Sequence, residues 1–97
     1  VHTRVTKYQL KPGRTAEALQ LVRDHWLNLI TGAEGFVSFE MIETDADELV
    51  GLLTFTTAEQ SLSALELARE WVFENFGDLL ASPSEMTMGT VRISTMR

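Results

Sequence analysis

Ninety-seven residues, 44% of them hydrophobic and 23% charged, suffice for one packed domain (residues 1–97) and leave no room for a second core. A formal net charge of -6 argues against the cationic face that a nucleic-acid binder needs, so no nucleic acid is expected as a partner. The chain has no cysteine and only two histidines in no HxH or HExxH spacing, which excludes disulfides and leaves no expected metal site.

A domain this small commonly draws extra stability from disulfides, metals or another subunit. With the first excluded and the second not expected, a partner subunit is the expected source. Five basic residues (Arg4, Lys7, Lys11, Arg14 and Arg23) fall in the first quarter, but alternation and helical phase scatter them over several faces. No apolar run approaches the ~20 residues of a membrane span, and no signal-peptide pattern is present. The expectation is therefore a cytoplasmic protein with no membrane partner.

In chain order, residues 3–11 predict a strand whose alternating sets are Arg4, Thr6, Tyr8, Leu10 and Thr3, Val5, Lys7, Gln9. Pro12 and Gly13 then form a turn, since proline presets φ and glycine accepts a positive one. Thr15 is the predicted N-cap of a helix running to about Thr31, with an apolar stripe of Ala18, Leu19, Val22, Trp26 and Leu29 and a stop at Gly32. A second strand spans Phe36 to Glu43, with Val37, Phe39 and Met41 on one face. The acidic segment Thr44 to Glu48 is a short hairpin connection into a third strand, Leu49 to Thr56, and so short a link pairs the two antiparallel.

Thr57 followed by Gln60 is a capping box opening a second long helix, with a stripe of Leu62, Leu65, Ala68, Val72 and Phe76 and a break expected near Arg69–Glu70. Gly77 and Pro83 close it, and Met86 to Ser94 predicts the fourth strand. The order β-α-β-β-α-β, with right-handed crossovers, gives an α+β ferredoxin-like fold: a four-stranded antiparallel sheet with the helices on one face. Its other face would expose apolar side chains, and packing two copies sheet to sheet would cover them and form a dimeric α/β barrel.

Four stretches carry a family resemblance: residues 10–13 (LKPG), 35–40 (GFVSFE), 54–60 (TFTTAEQ) and 79–83 (LLASP). In this order and spacing, over residues 3–94, the chain resembles the antibiotic-biosynthesis monooxygenase family of the dimeric α/β-barrel superfamily. The resemblance implies a homodimer formed through the sheet face, with a pocket in each subunit between sheet and helices. It also implies cofactor-independent monooxygenase-like chemistry on a small aromatic or quinonoid compound. The alternative on the same scaffold is a non-catalytic small-ligand-binding or stress-related protein. The strand-3 position that is commonly tryptophan in the family is Phe55 here, and the strand-1 asparagine of the haem-degrading branch corresponds to Thr6. Residues 71–77 hold no histidine to ligate haem, so haem degradation is disfavoured.

The expected pocket residues are Thr6, Tyr8, Trp26, Phe55 and Trp71, with His25 and Tyr8 as the candidate catalytic groups. His25 flanks the first helix's stripe, where an imidazole would orient or deprotonate a phenol or else simply face solvent. Tyr8 would bring its hydroxyl to the helix side of the sheet. Trp26 also suits core packing, and Trp71 suits packing in the core or a dimer contact. Arg92, mid-strand among apolar neighbours, would need an acidic partner such as Glu40. No P-loop, GxGxxG or CxxC occurs, so no nucleotide or redox cofactor is assigned.

Overall fold

Every strand pairing in the computed structural model of the chain, which describes residues 1–95, is antiparallel. Strands β1 (His2–Gln9), β2 (Phe36–Asp45), β3 (Glu48–Phe55) and β4 (Glu85–Thr90) form one sheet in the order β2-β3-β1-β4. A helical region lies between β1 and β2: α1 (Thr15–Leu21), a π-helical segment (Val22–Trp26) and α2 (Leu27–Ile30). One long helix, α3 (Ala58–Phe76), links β3 to β4. The fold is therefore α+β and ferredoxin-like, as expected.

Alternation divides the sheet into two unlike faces. His2, Arg4 and Leu10 of β1 and its extension are buried on the helix side, and so are Leu49, Leu53 and Phe55 of β3. The intervening residues of β1 and β3, among them Val5, Lys7, Val50 and Leu52, point away from the helices and are exposed or half-buried. In β2 a bulge between Phe36 and Ser38 resets the alternation. Phe36, Phe39 and Met41 consequently pack on the core, while Val37, expected on the face of Phe39 and Met41, is exposed.

The turns carry local chemistry that the sequence shows directly. Gly13 has φ 78°, the conformation that the Pro12–Gly13 turn requires. The acidic connection is tied to that turn: Gly13 N donates to Asp47 Oδ1 at 3.0 Å, and Leu10 N donates to the Asp47 carbonyl at 2.7 Å. The capping box is present, with Gln60 N donating to Thr57 Oγ1 at 3.1 Å and Thr57 N to Gln60 Oε1 at 3.2 Å. Gly35, at φ 80°, passes so close to the Gln60 side chain that a β-carbon there would collide with it.

Four expectations about the elements are corrected. Arg14, not Thr15, holds the N-cap position of α1; Thr15 is the first helical residue, and its buried hydroxyl finds no partner among the described residues. The first helix's stripe runs Ala18, Val22, Trp26, Ile30, and Leu29 is exposed. Steps of four residues drift around an α-helix, and the wider i→i+5 turn at Val22–Trp26 takes up the drift. α3 is unbroken at Arg69–Glu70; its buried residues include Ser61, Ala64 and Trp71, whereas Leu62 is exposed. β4 ends at Thr90, where β1 runs out of partners (Val91 N donates to the Val1 carbonyl at 2.9 Å). Arg92 therefore lies beyond the strand and exposed, and the two ion pairs among the described residues, Lys7–Glu48 and Arg14–Glu17, do not include it.

Candidate functional site

Between the helix side of the sheet and the helices lies a cavity of about 490 Å³. That is within the range of small-molecule sites. Alternation along β1 brings Arg4, Thr6 and Tyr8 to its wall, one above another at two-residue steps. Opposite Thr6 on β3 stands Gly51, whose missing side chain leaves the wall open between Phe39 and Met41 of β2. Met86 of β4 stands beside Thr6 on the other edge of β1.

The helices supply most of the aromatic surface. The Trp26 and Trp71 rings lie 5.5 Å apart between centroids, with Phe39 6.3 Å beyond Trp26 and Phe76 5.1 Å beyond Trp71. Tyr8 meets Phe76 edge-on at 5.5 Å, so five rings form a continuous chain around the cavity. Arg69 and Phe73 of α3 line it from exposed positions, Phe73 with 83% of its surface free. Beyond β1, Leu80 bridges to Leu10, holding the segment before β4 against the same end of the sheet.

Polar groups are few and of one sign. Burial pushes the Tyr8 phenol above its ordinary pKa, with the Thr6 hydroxyl and the Arg4 charge acting in the opposite direction. Tyr8 is thus a neutral phenol at pH 7, able to donate a hydrogen bond and unsuited to act as a resting base. Burial lowers the Arg4 pKa, the Tyr8 oxygen raises it and the Arg69 charge lowers it. A guanidinium remains charged at neutral pH all the same. Arg4 is only 3% exposed, and its Nη1 has no hydrogen-bond partner among the described residues. No aspartate, glutamate or histidine is among the residues lining the cavity. Nor, among the described residues, do three or more potential metal ligands gather anywhere.

Of the expected pocket residues, Thr6, Tyr8, Trp26 and Trp71 line this one cavity. Phe55 does not. It lies at the far end of β3, fully buried, its ring edge-on to Phe36 at 6.5 Å, and α3 starts only three residues later. His25 does not line it either: it is exposed, because the π-helical turn directs Val22 and Trp26 inward and leaves the three residues between them in solvent. Arg4, Gly51, Arg69 and Phe76 also line the cavity and are not among the residues expected from the sequence. Arg4 was within reach, since it shares the alternation set of Thr6 and Tyr8.

No family model matches the chain, and no curated protein is found to be similar to it. Solved structures do match over almost its whole length. A protein of unknown function from Nitrosomonas europaea superposes with a TM-score of 0.84 at 15% identity, covering 99% of this chain and 93% of that one. A monooxygenase from Streptomyces coelicolor in complex with nanaomycin D gives 0.81 at 16% identity, covering 99% and 91%. A second Nitrosomonas europaea protein, provisionally named an antibiotic biosynthesis monooxygenase, gives 0.79 at 16% identity, covering 94% and 98%. At these identities the likeness is one of fold. It is the fold that the resemblance over residues 3–94 implied.

Proposed function

We propose that the chain is a monooxygenase-like protein of the antibiotic-biosynthesis monooxygenase family. In this reading it takes a small aromatic or quinonoid molecule into the cavity between sheet and helices and works as a homodimer packed through the other sheet face. The observation that carries the reading is the aromatic-walled cavity onto which Arg4, Thr6 and Tyr8 converge. Flat rings of a ligand stack or sit edge-on against Trp26, Trp71 and Phe76, while the Tyr8 hydroxyl donates to a ring oxygen.

Oxygenation without a cofactor suits such a site, because the ionised ring is itself the reductant. It passes one electron to O2, and the radical pair joins as a peroxide at the ring carbon. Loss of water then leaves a carbonyl: a CH2 becomes C=O, one oxygen atom enters the product and the other leaves as water. What this chain's residues supply is exclusion of water, placement of the ring and stabilisation of the oxygen's negative charge.

The test is incubation with a panel of hydroquinones and anthrones, with and without oxygen, following O2 uptake and quinone formation. Turnover that needs oxygen and is lost on filling the cavity supports the proposal; no turnover with any member rejects the enzymatic reading. One observation favours a second reading, a non-catalytic binder: no carboxylate or imidazole lines the cavity to act as a base. That reading predicts a ligand-dependent rise in melting temperature without product.

A further inference from the structure

A buried positive charge is costly unless something of opposite sign sits near it. Arg4 is such a charge. It is 3% exposed, it has an unpartnered Nη1, and neither ion pair among the described residues involves it. The second guanidinium at the cavity, Arg69, adds to the charge rather than offsetting it. The excess is local and runs against the chain as a whole, whose net charge is -6.

We propose that Arg4 makes the cavity wall an anion subsite, so that the occupant is a planar aromatic or quinonoid molecule bound with a ring oxygen already ionised. The inference rests on the reading of the cavity as an aromatic-ligand site and narrows its substrate class. A ring oxyanion placed against β1 meets the Arg4 charge and the Tyr8 and Thr6 hydroxyls, and in a low-dielectric cavity that pairing is strong. It also answers the lack of a base: a site that selects the anion has no need of a side chain to remove the proton. Arg69, exposed on α3, attracts the same charge from the cavity mouth.

The test uses two quinones of nearly equal shape, 2-hydroxy-1,4-naphthoquinone, an anion at neutral pH, and its neutral 2-methoxy ether. Binding is read by quenching of the fluorescence of Trp26 and Trp71, the chain's two tryptophans. The expected result is a preference of about tenfold or more for the anion, the scale of one charge-assisted contact. Arg4→Gln should abolish the preference for the anion over the ether, and Arg4→Lys should retain part of it. Arg69→Gln, at an exposed position that does not threaten folding, should weaken anion binding by a smaller factor and slow association.

Equal binding of the two quinones by the natural chain would overturn the anion subsite and leave the aromatic cavity standing. Failure to bind either would overturn both. A preference that survives Arg4→Gln in a chain that circular dichroism shows to be folded would remove Arg4 from the role. Should Arg4→Gln not fold, the ether comparison in the natural chain and in Arg69→Gln still decides: the preference must be present in the first and reduced in the second.

Discussion

The indole of Trp26, carried by the π-helical turn, lies 5.5 Å from the indole of Trp71 on α3, tilted by 46°. Each ring is at most 7% exposed, yet both border the cavity. The pair therefore serves two ends at once: it joins the two helical regions over the sheet, and it forms the flat wall a ring ligand would meet. Trp71→Ala should destabilise the fold by about 3 kcal/mol or more, the usual cost of emptying a buried aromatic site. Trp71→Phe should cost distinctly less and keep part of the ligand affinity. Denaturant unfolding of both variants checks the order; equal stabilities of the two would show that an aromatic ring at this position contributes nothing.

Gly51 gives a way to fill the cavity without disturbing its frame. A β-carbon built there finds its nearest neighbours, the Met41 thioether and the Phe39 ring, at an ordinary 3.7 Å. Glycine in a strand also costs about 0.5–1 kcal/mol relative to alanine. Gly51→Ala should accordingly keep or slightly raise the melting temperature, and Gly51→Val should lower affinity for a two-ring quinone by about tenfold as its methyl groups enter the cavity. A calorimetric melt and the quenching titration measure the two effects separately. Undiminished binding in Gly51→Val would move the ligand away from β3.

The strand and helix order, the Pro12–Gly13 turn and the Thr57–Gln60 capping box were readable because each rests on neighbours in sequence. The expectations that fail carry a regular period through an irregularity of the backbone. The bulge at Phe36–Ser38 took Val37 off the core face, and the π-helical turn exchanged Leu29 for Ile30. The same turn explains His25: polarity alone could not say on which side of a widened helix it would fall. Phe55 failed for a different reason. It was expected in the pocket from the position that is commonly tryptophan in the family it resembles, but whether a strand residue borders a cavity or closes into the core depends on what lies over it. Here, that end of β3 is closed in the core, beside Phe36.

Tyr8 is the chain's only tyrosine, so its ionisation can be watched directly in the ultraviolet. Burial raises its pKa above the ordinary 10.0. The folded chain thus holds the phenolic proton more tightly than the unfolded chain does. The associated stabilisation is fully present below pH 10, and it is lost as pH rises from there through the folded value. Below about pH 9, then, the stability difference between the natural chain and Tyr8→Phe should not vary with pH. Above pH 10 the natural chain should lose stability faster than Tyr8→Phe. Denaturant titrations from pH 7 to 11, set beside the absorbance titration, measure both. A Tyr8 that titrates at or below 10 in the folded protein would contradict its burial.

The sheet face away from the helices carries apolar side chains that a second copy would cover. Val5 and Ile42 are 37% and 47% exposed on it, beside half-buried Val50 and Leu52. Thr3 and Thr54 are joined there, hydroxyl to hydroxyl, at 2.9 Å across β1 and β3. An apolar patch of Val5, Ile42, Val50 and Leu52, flanked on the same face by the charged Lys7, Glu40, Glu48 and Glu85, is what a second copy of the same sheet would bury, and the cavity lies on the opposite side. Association through this face should leave each cavity intact and make the melting temperature rise with protein concentration. Leu52→Glu would add a charge within the apolar part of this face and, if the two copies pack through it, should shift sedimentation from twice the chain mass to the chain mass. The exposed glutamate costs the monomer little, so quinone binding should survive in it. A natural chain that sediments as a monomer at high concentration would remove the homodimer, whatever the cavity binds.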